Sequence, residues 1–225
     1  MRDPMSTDDI ASGRRDGRAT EAKAALIMTA FILTEGAWIG VNLFPDPQRF
    51  LHIIGFAPGR LGTPEGWVVA LGVAAIFIFS SLRLPSVRAN LIRPSFLKLL
   101  AILMAIAAGT LEETVFRRML MNYLQTEGLG NLPQIVLSAA AFGISHGIWG
   151  LFGRSKSAAF GATVATSALG LGLAIAYVVS ARSVASAIVA HAMIDVFIEP
   201  GLILAALRGE MGGQRTPNQR EPVAT

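Results

Sequence analysis

The chain of 225 residues is 52% hydrophobic and 15% charged, with a mean hydropathy of +0.54. Soluble domains carry roughly 25% charged residues, so the balance excludes an ordinary water-soluble globule and implies a polytopic membrane protein. The net charge of +4 arises from basic residues at the ends of apolar runs, where they contact lipid headgroups, and no basic stripe with interleaved aromatics marks a nucleic-acid partner. Cysteine is absent, which removes disulfides, thiolate catalysis and cysteine-ligated metal together.

Residues 1–22 are polar and mixed in charge, and their composition predicts a flexible tail. The apolar run behind them is too long for a signal peptide. Two N-terminal spans and their connectors are expected over 23–94. The first covers about 24–43 and is interrupted by Glu35, read as a structural polar contact; the second covers about 67–82. Between them lies a Pro- and Gly-rich loop with a short interfacial helix near 50–56. His52 sits there without polar partners at helical spacing and is read as an ordinary loop histidine. Arg83, Arg88 and Arg93 form a proline-interrupted basic connector, the clearest inside-facing segment of the chain.

A core follows over 95–207. Its first helix runs from about Ser95 to Leu124, too long to cross the hydrocarbon without tilt, a kink near Gly109 or an aqueous end. Helices are then expected over about 134–152, 158–180 and 184–207, with a second basic connector at 153–157 and a polar tail over 208–225. Ala168 and Gly172, four apart, suit close helix packing. The fold class is therefore all-α, a transmembrane bundle of about six spans with both termini on the side of the basic connectors.

Three polar patches interrupt the core's apolar helices: Glu112-Glu113 with Arg117, Phe142 with His146, and His191 with Asp195. Ionisable residues are costly at membrane depth and mark function by default. Residues four apart stack on one helix face. Glu113 and Arg117 can thus neutralise each other, while Glu112, about 100° round the helix, faces elsewhere. Phe142 and His146 share a face, as do His191 and Asp195. One convergent site explains these patches more economically than separate structural pairs, although each alone is compatible with packing.

A glutamate beside a histidine can activate water, a histidine N–H can stabilise an oxyanion, and Asp195 can serve the site directly or orient His191. Glu112, His146 and His191 also match the ligand set of a catalytic zinc with an open water position. The His-Glu-x-x-His zinc helix is absent, and these histidines lie 45 residues apart.

The motifs Glu112-Glu113-x-x-x-Arg117, Phe142-x-x-x-His146 and His191-x-x-x-Asp195 resemble, in order, the three motifs of the CAAX protease and bacteriocin-processing (CPBP) family of intramembrane endopeptidases. The glycine-rich stretch from Gly170 to Tyr177 is similar to the family too, and the matched core spans roughly 95–201. The resemblance implies that Glu112 and His146 activate water, that His191 and Asp195 stabilise the oxyanion, and that Glu113, Arg117 and Phe142 support the site. In the eukaryotic relatives the last position is usually asparagine, so Asp195 is a departure. The resemblance implies no obligatory metal or other cofactor, with zinc as the alternative. It implies a peptide or lipidated protein substrate and fixes no oligomeric state; the short loops point to a bacterial plasma membrane, and the basic connectors to cytoplasmic termini. The competing expectations are a zinc-dependent endopeptidase using the same residues, a non-proteolytic immunity or scaffold protein, and a small proton-coupled transporter using Glu35 and Glu112.

Overall fold

The computed structural model describes residues 7–148 and 156–212, with side chains from residue 16 onward. The last residues of the helix expected over 134–152, most of the connector expected at 153–157 and the end of the C-terminal tail lie outside the described residues. The chain is all-α, and among the described residues there is no sheet. In order, the helices are α1 (Thr7–Leu43), α2 (Pro47–Ile53), α3 (Pro64–Ser81), α4 (Pro85–Asn90), α5 (Phe96–Glu113), a π-helical segment (Thr114–Met121), α6 (Asn122–Thr126), α7 (Asn131–Ser145), α8 (Lys156–Val179) and α9 (Ala185–Leu207).

Helix starts follow local chemistry. Asp46, Thr63 and Ser95 each accept a hydrogen bond from the backbone N–H three residues on, at 2.9, 3.2 and 3.1 Å. Proline stands at the first helical position after Asp46 and Thr63, where its missing N–H costs nothing.

Among the described residues, five helical stretches are long and apolar enough to cross a membrane: 16–43, 64–81, 96–126, 156–179 and 185–207. The helix α7 lies within the bundle but has only 15 residues, shorter than the span expected over 134–152. It ends at Ser145, and His146 opens a 3₁₀ turn. The first helix begins at Thr7, so the described part of the expected tail is helical. Alanine and arginine recur through 11–25, joined by Glu21 and Lys23, and sustain helix without an apolar face.

The spans α5 and α9 are the most enclosed and lie against each other; α1 covers α5, α3 covers α9, and α7 packs on α8. Leu26, Val41, Ile76 and Phe79 point outward, which is costly in water but suits lipid. Close approach relies on small residues. A Cβ on Gly143 would stand 1.8 Å from Ser167 Oγ, and one on Gly172 would stand 2.7 Å from Val73. The latter bears out the packing expected of Gly172, here against α3.

The long helix continues as regular α-helix through Gly109. That glycine instead lets α5 approach α9, with Ile188 O 3.1 Å from where its Cβ would be. The irregularity comes five residues later, as the π-helical segment directly after Glu113. Such wide turns are rare and occur mostly at functional sites. In α9, Pro200 offers no N–H to the carbonyl of Val196. Lys98 replaces it: Nζ donates to Val196 O at 2.6 Å, and also to Phe197 O and Leu91 O at 3.3 and 2.9 Å. An orphaned carbonyl inside a bundle is thus satisfied by a side chain from the neighbouring helix.

Candidate active site

The three polar patches converge. Helix α5 delivers Glu112 and Glu113, the end of α7 delivers His146, and α9 delivers His191 and Asp195. Glu112, His146, His191 and Asp195 all line one cavity of about 460 Å³, within the range of small-molecule sites.

The two adjacent glutamates point apart, as one helical step requires. Glu113 is fully buried and engaged at both oxygens. Its Oε2 is 3.0 Å from Arg117 Nε, and its Oε1 accepts from His191 Nδ1 at 2.7 Å. Arg117 is also fully buried; its Nη2 donates to Gly170 O at 3.3 Å, and its guanidinium lies 4.3 Å from the Phe142 ring centroid. The Glu113–Arg117 pair expected from spacing is present. The bond to His191 is an addition that spacing on one helix could not reveal, since its partners are 78 residues apart.

Glu112 retains some exposure to the cavity. Its Oε2 is 3.6 Å from His146 Nε2 and 4.0 Å from His191 Nε2, and makes no hydrogen bond within the protein. His146 Nδ1 lies 2.8 Å from the carbonyl of Phe142. A carbonyl only accepts, so Nδ1 carries the proton, and in the neutral ring Nε2 presents its lone pair toward Glu112. Two acceptors 3.6 Å apart cannot bond to each other, but a water molecule can donate one proton to each.

His191 is held differently. Its Nδ1 donates to Glu113, while Nε2 faces Asp195 Oδ2 at 3.5 Å. The imidazole can donate to substrate from Nε2 only when it carries both protons. Phe142, fully buried, fixes both rings: its centroid is 4.4 Å from that of His146 and 5.7 Å from that of His191. Phe116 meets it edge-on at 5.3 Å, and Ser138 on the same helix donates to Phe116 O.

As placed, these donors do not form a metal cage: among the described residues no group of three His, Asp or Glu side chains is arranged to hold an ion. The sequence reading missed Glu199, which lies one turn beyond Asp195 on α9 and also lines the cavity. Its spacing from His191 and Asp195 was the available signal, obscured by the adjoining Pro200 and the end of the span. Glu35 of α1 lines the cavity as well. Arg118, next to Arg117, does not line the cavity, and His52 is exposed on α2.

Residues 94–197, just under half of the chain, match the family described as type II CAAX prenyl endopeptidase Rce1-like. Searches of curated proteins and of solved structures give no match. The family match takes in all three motifs, from Glu112 to Asp195, and with them the buried glutamate–histidine network; over this region the chain is similar to the CAAX-type (CPBP) intramembrane endopeptidases.

Proposed function

We propose that this protein hydrolyses a peptide bond within the membrane, using a water molecule held between Glu112 and His146. The observation that carries the reading is the facing pair of acceptors, Glu112 Oε2 and His146 Nε2, beside a buried imidazole at His191. The water donates one hydrogen bond to each. As its oxygen bonds to the scissile carbonyl carbon, Glu112 takes the proton. When the tetrahedral species collapses, the C–N bond breaks and that proton passes to the leaving amine. His191, donating from Nε2 as imidazolium, stabilises the developing oxyanion. Asp195 positions Nε2, and Glu113 holds the opposite nitrogen. Apolar cavity walls, Phe142 and Phe116 among them, restrict bulk water and strengthen these interactions. No step in this scheme requires a metal.

The substrate class in this reading is a peptide or a lipid-modified protein. The prenyl substrate in the family's description supports including lipidated peptides among those tested. The chain is assigned to a bacterial plasma membrane with cytoplasmic termini; Arg83, Arg88 and Arg93 support that orientation. The test is cleavage of a library of plain and farnesylated peptides by purified full-length protein in detergent, followed by mass spectrometry. Wild type should cleave a subset, and Glu112→Gln and His146→Ala should not. Undiminished cleavage by Glu112→Gln would overturn the mechanism.

A further inference from the structure

The catalytic cluster occupies one part of the cavity, and the hydrolytic scheme leaves two buried carboxylates unused. Glu199 is 7% exposed and Glu35 is 6% exposed; both line the cavity, yet neither has an ion-pair partner among the described residues. Glu35 leaves Oε2 buried without a hydrogen-bond partner. They come from the last and first long helices, and both lie outside the 94–197 family match. A buried carboxylate facing a cavity is expensive unless a cation joins it.

Their placement is directional. His191, Asp195 and Glu199 follow at four-residue intervals and share one face of α9. Eight residues of helix put Glu199 about 12 Å from His191 along the axis. At Gly201 the helix closely approaches α4, with Val87 Cα 2.4 Å from where a Cβ would be. The acids therefore extend from the catalytic imidazole toward the basic connector. An extended peptide covers about 3.3–3.6 Å per residue, so a substrate with its scissile carbonyl at His191 brings a side chain three or four residues away alongside Glu199. Arg83 also lines the cavity, but forms no ion pair with either glutamate among the described residues.

We propose that Glu35 and Glu199 form an acidic subsite that receives a lysine or arginine side chain of the substrate, a few residues from the scissile bond. The proposal rests on the proteolytic reading for its substrate. The ammonium or guanidinium supplies the missing partner for both carboxylates, and the long aliphatic stem packs on the surrounding apolar wall. The subsite selects charge where the rest of the cavity selects apolar bulk.

Binding and cleavage test this separately. Full-length Glu112→Gln protein in a neutral maltoside detergent is titrated with apolar decapeptides carrying one lysine, moved position by position, and with matched peptides carrying norleucine. At its best position lysine should bind about tenfold more tightly or better, as charge-assisted bonds allow. Adding Glu35→Gln and Glu199→Gln should bring that preference to within about twofold. With Glu112 restored, the Glu35→Gln/Glu199→Gln variant should raise KM for the lysine peptide, keep kcat, and leave the norleucine peptide unaffected. Thermal melting confirms that each variant is folded. A lysine preference that is absent, or that survives both substitutions in folded protein, overturns the subsite. Glutamate-dependent lysine binding with no cleavage by the wild type supports the subsite and overturns the proteolytic reading. Cleavage without lysine preference does the reverse.

Discussion

Replacing Glu113 by glutamine keeps the side chain's shape and removes its charge. Arg117, fully buried and 3.0 Å from Glu113, then loses its anion. Breaking a buried pair by removing one partner costs about 3–5 kcal/mol, a large share of the roughly 5–15 kcal/mol that stabilises a folded protein. For a chain of this length the melting temperature should fall by about 6–20 °C. The paired replacement Glu113→Leu/Arg117→Met removes both charges and should recover most of this loss, because buried ion pairs exchange for apolar groups at little cost. Activity should not recover. His191 Nδ1 has lost the acceptor 2.7 Å away, so the ring's orientation and proton position are no longer fixed, and turnover should stay down by about 10²–10⁴-fold. Melting in detergent and cleavage of a fluorogenic peptide give the two readouts. An unshifted melt for Glu113→Gln, or a double variant with wild-type turnover, would refute the assigned coupling of ion pair and imidazole.

Glu112→Gln should lower kcat by about 10²–10⁴-fold while leaving the melting temperature unchanged or raised, since Glu112 makes no hydrogen bond within the protein at Oε2; a destabilised variant would mark a structural role. Phe142→Ala removes contacts with Arg117, His146, His191 and Phe116 together and should destabilise by about 3–5 kcal/mol; chemical denaturation measures it. Lys98→Met should cost about 1–3 kcal/mol by orphaning Val196 O beside Pro200, and restoring an N–H with Pro200→Ala should recover much of that loss in a double-variant cycle. Cleavage should persist in excess chelator; loss on chelation with recovery on adding zinc would assign a metal to Glu112 and the two histidines.

The bundle and the convergence of its polar patches were legible in the sequence because both follow from cost. Long apolar runs are spans in lipid, and charges within them must meet one another. Helical spacing also separated Glu113, paired with Arg117, from Glu112, free to face the cavity. What spacing could not supply was contact between distant helices. The Glu113–His191 bond and the stacking of Phe142 between imidazole and guanidinium are tertiary. Glu199 escaped because a proline next to a carboxylate near the end of a span reads as a boundary. The role of Lys98 is likewise tertiary: its contact is with the residue four before Pro200, on another helix.

The π-helical segment at 114–121 separates two demands on one rod. Upstream, Glu112 must face the cavity while Glu113 reaches Arg117 and His191. Downstream, Asn122 accepts from Tyr177 Oη at 2.9 Å and from Arg182 Nε at 3.0 Å, while Arg182 also reaches Gln134. The wide turn gives these two ends independent angular registers. Deleting one residue within 118–121, beyond Phe116 and the Arg117 motif, would turn the downstream end by about 100° and draw it back about 1.5 Å. The clasp at Asn122 would then open while every residue lining the cavity remained in the sequence. Alignment of motifs alone would score such a chain as intact, although its catalytic helix had been unscrewed from the far side of the bundle.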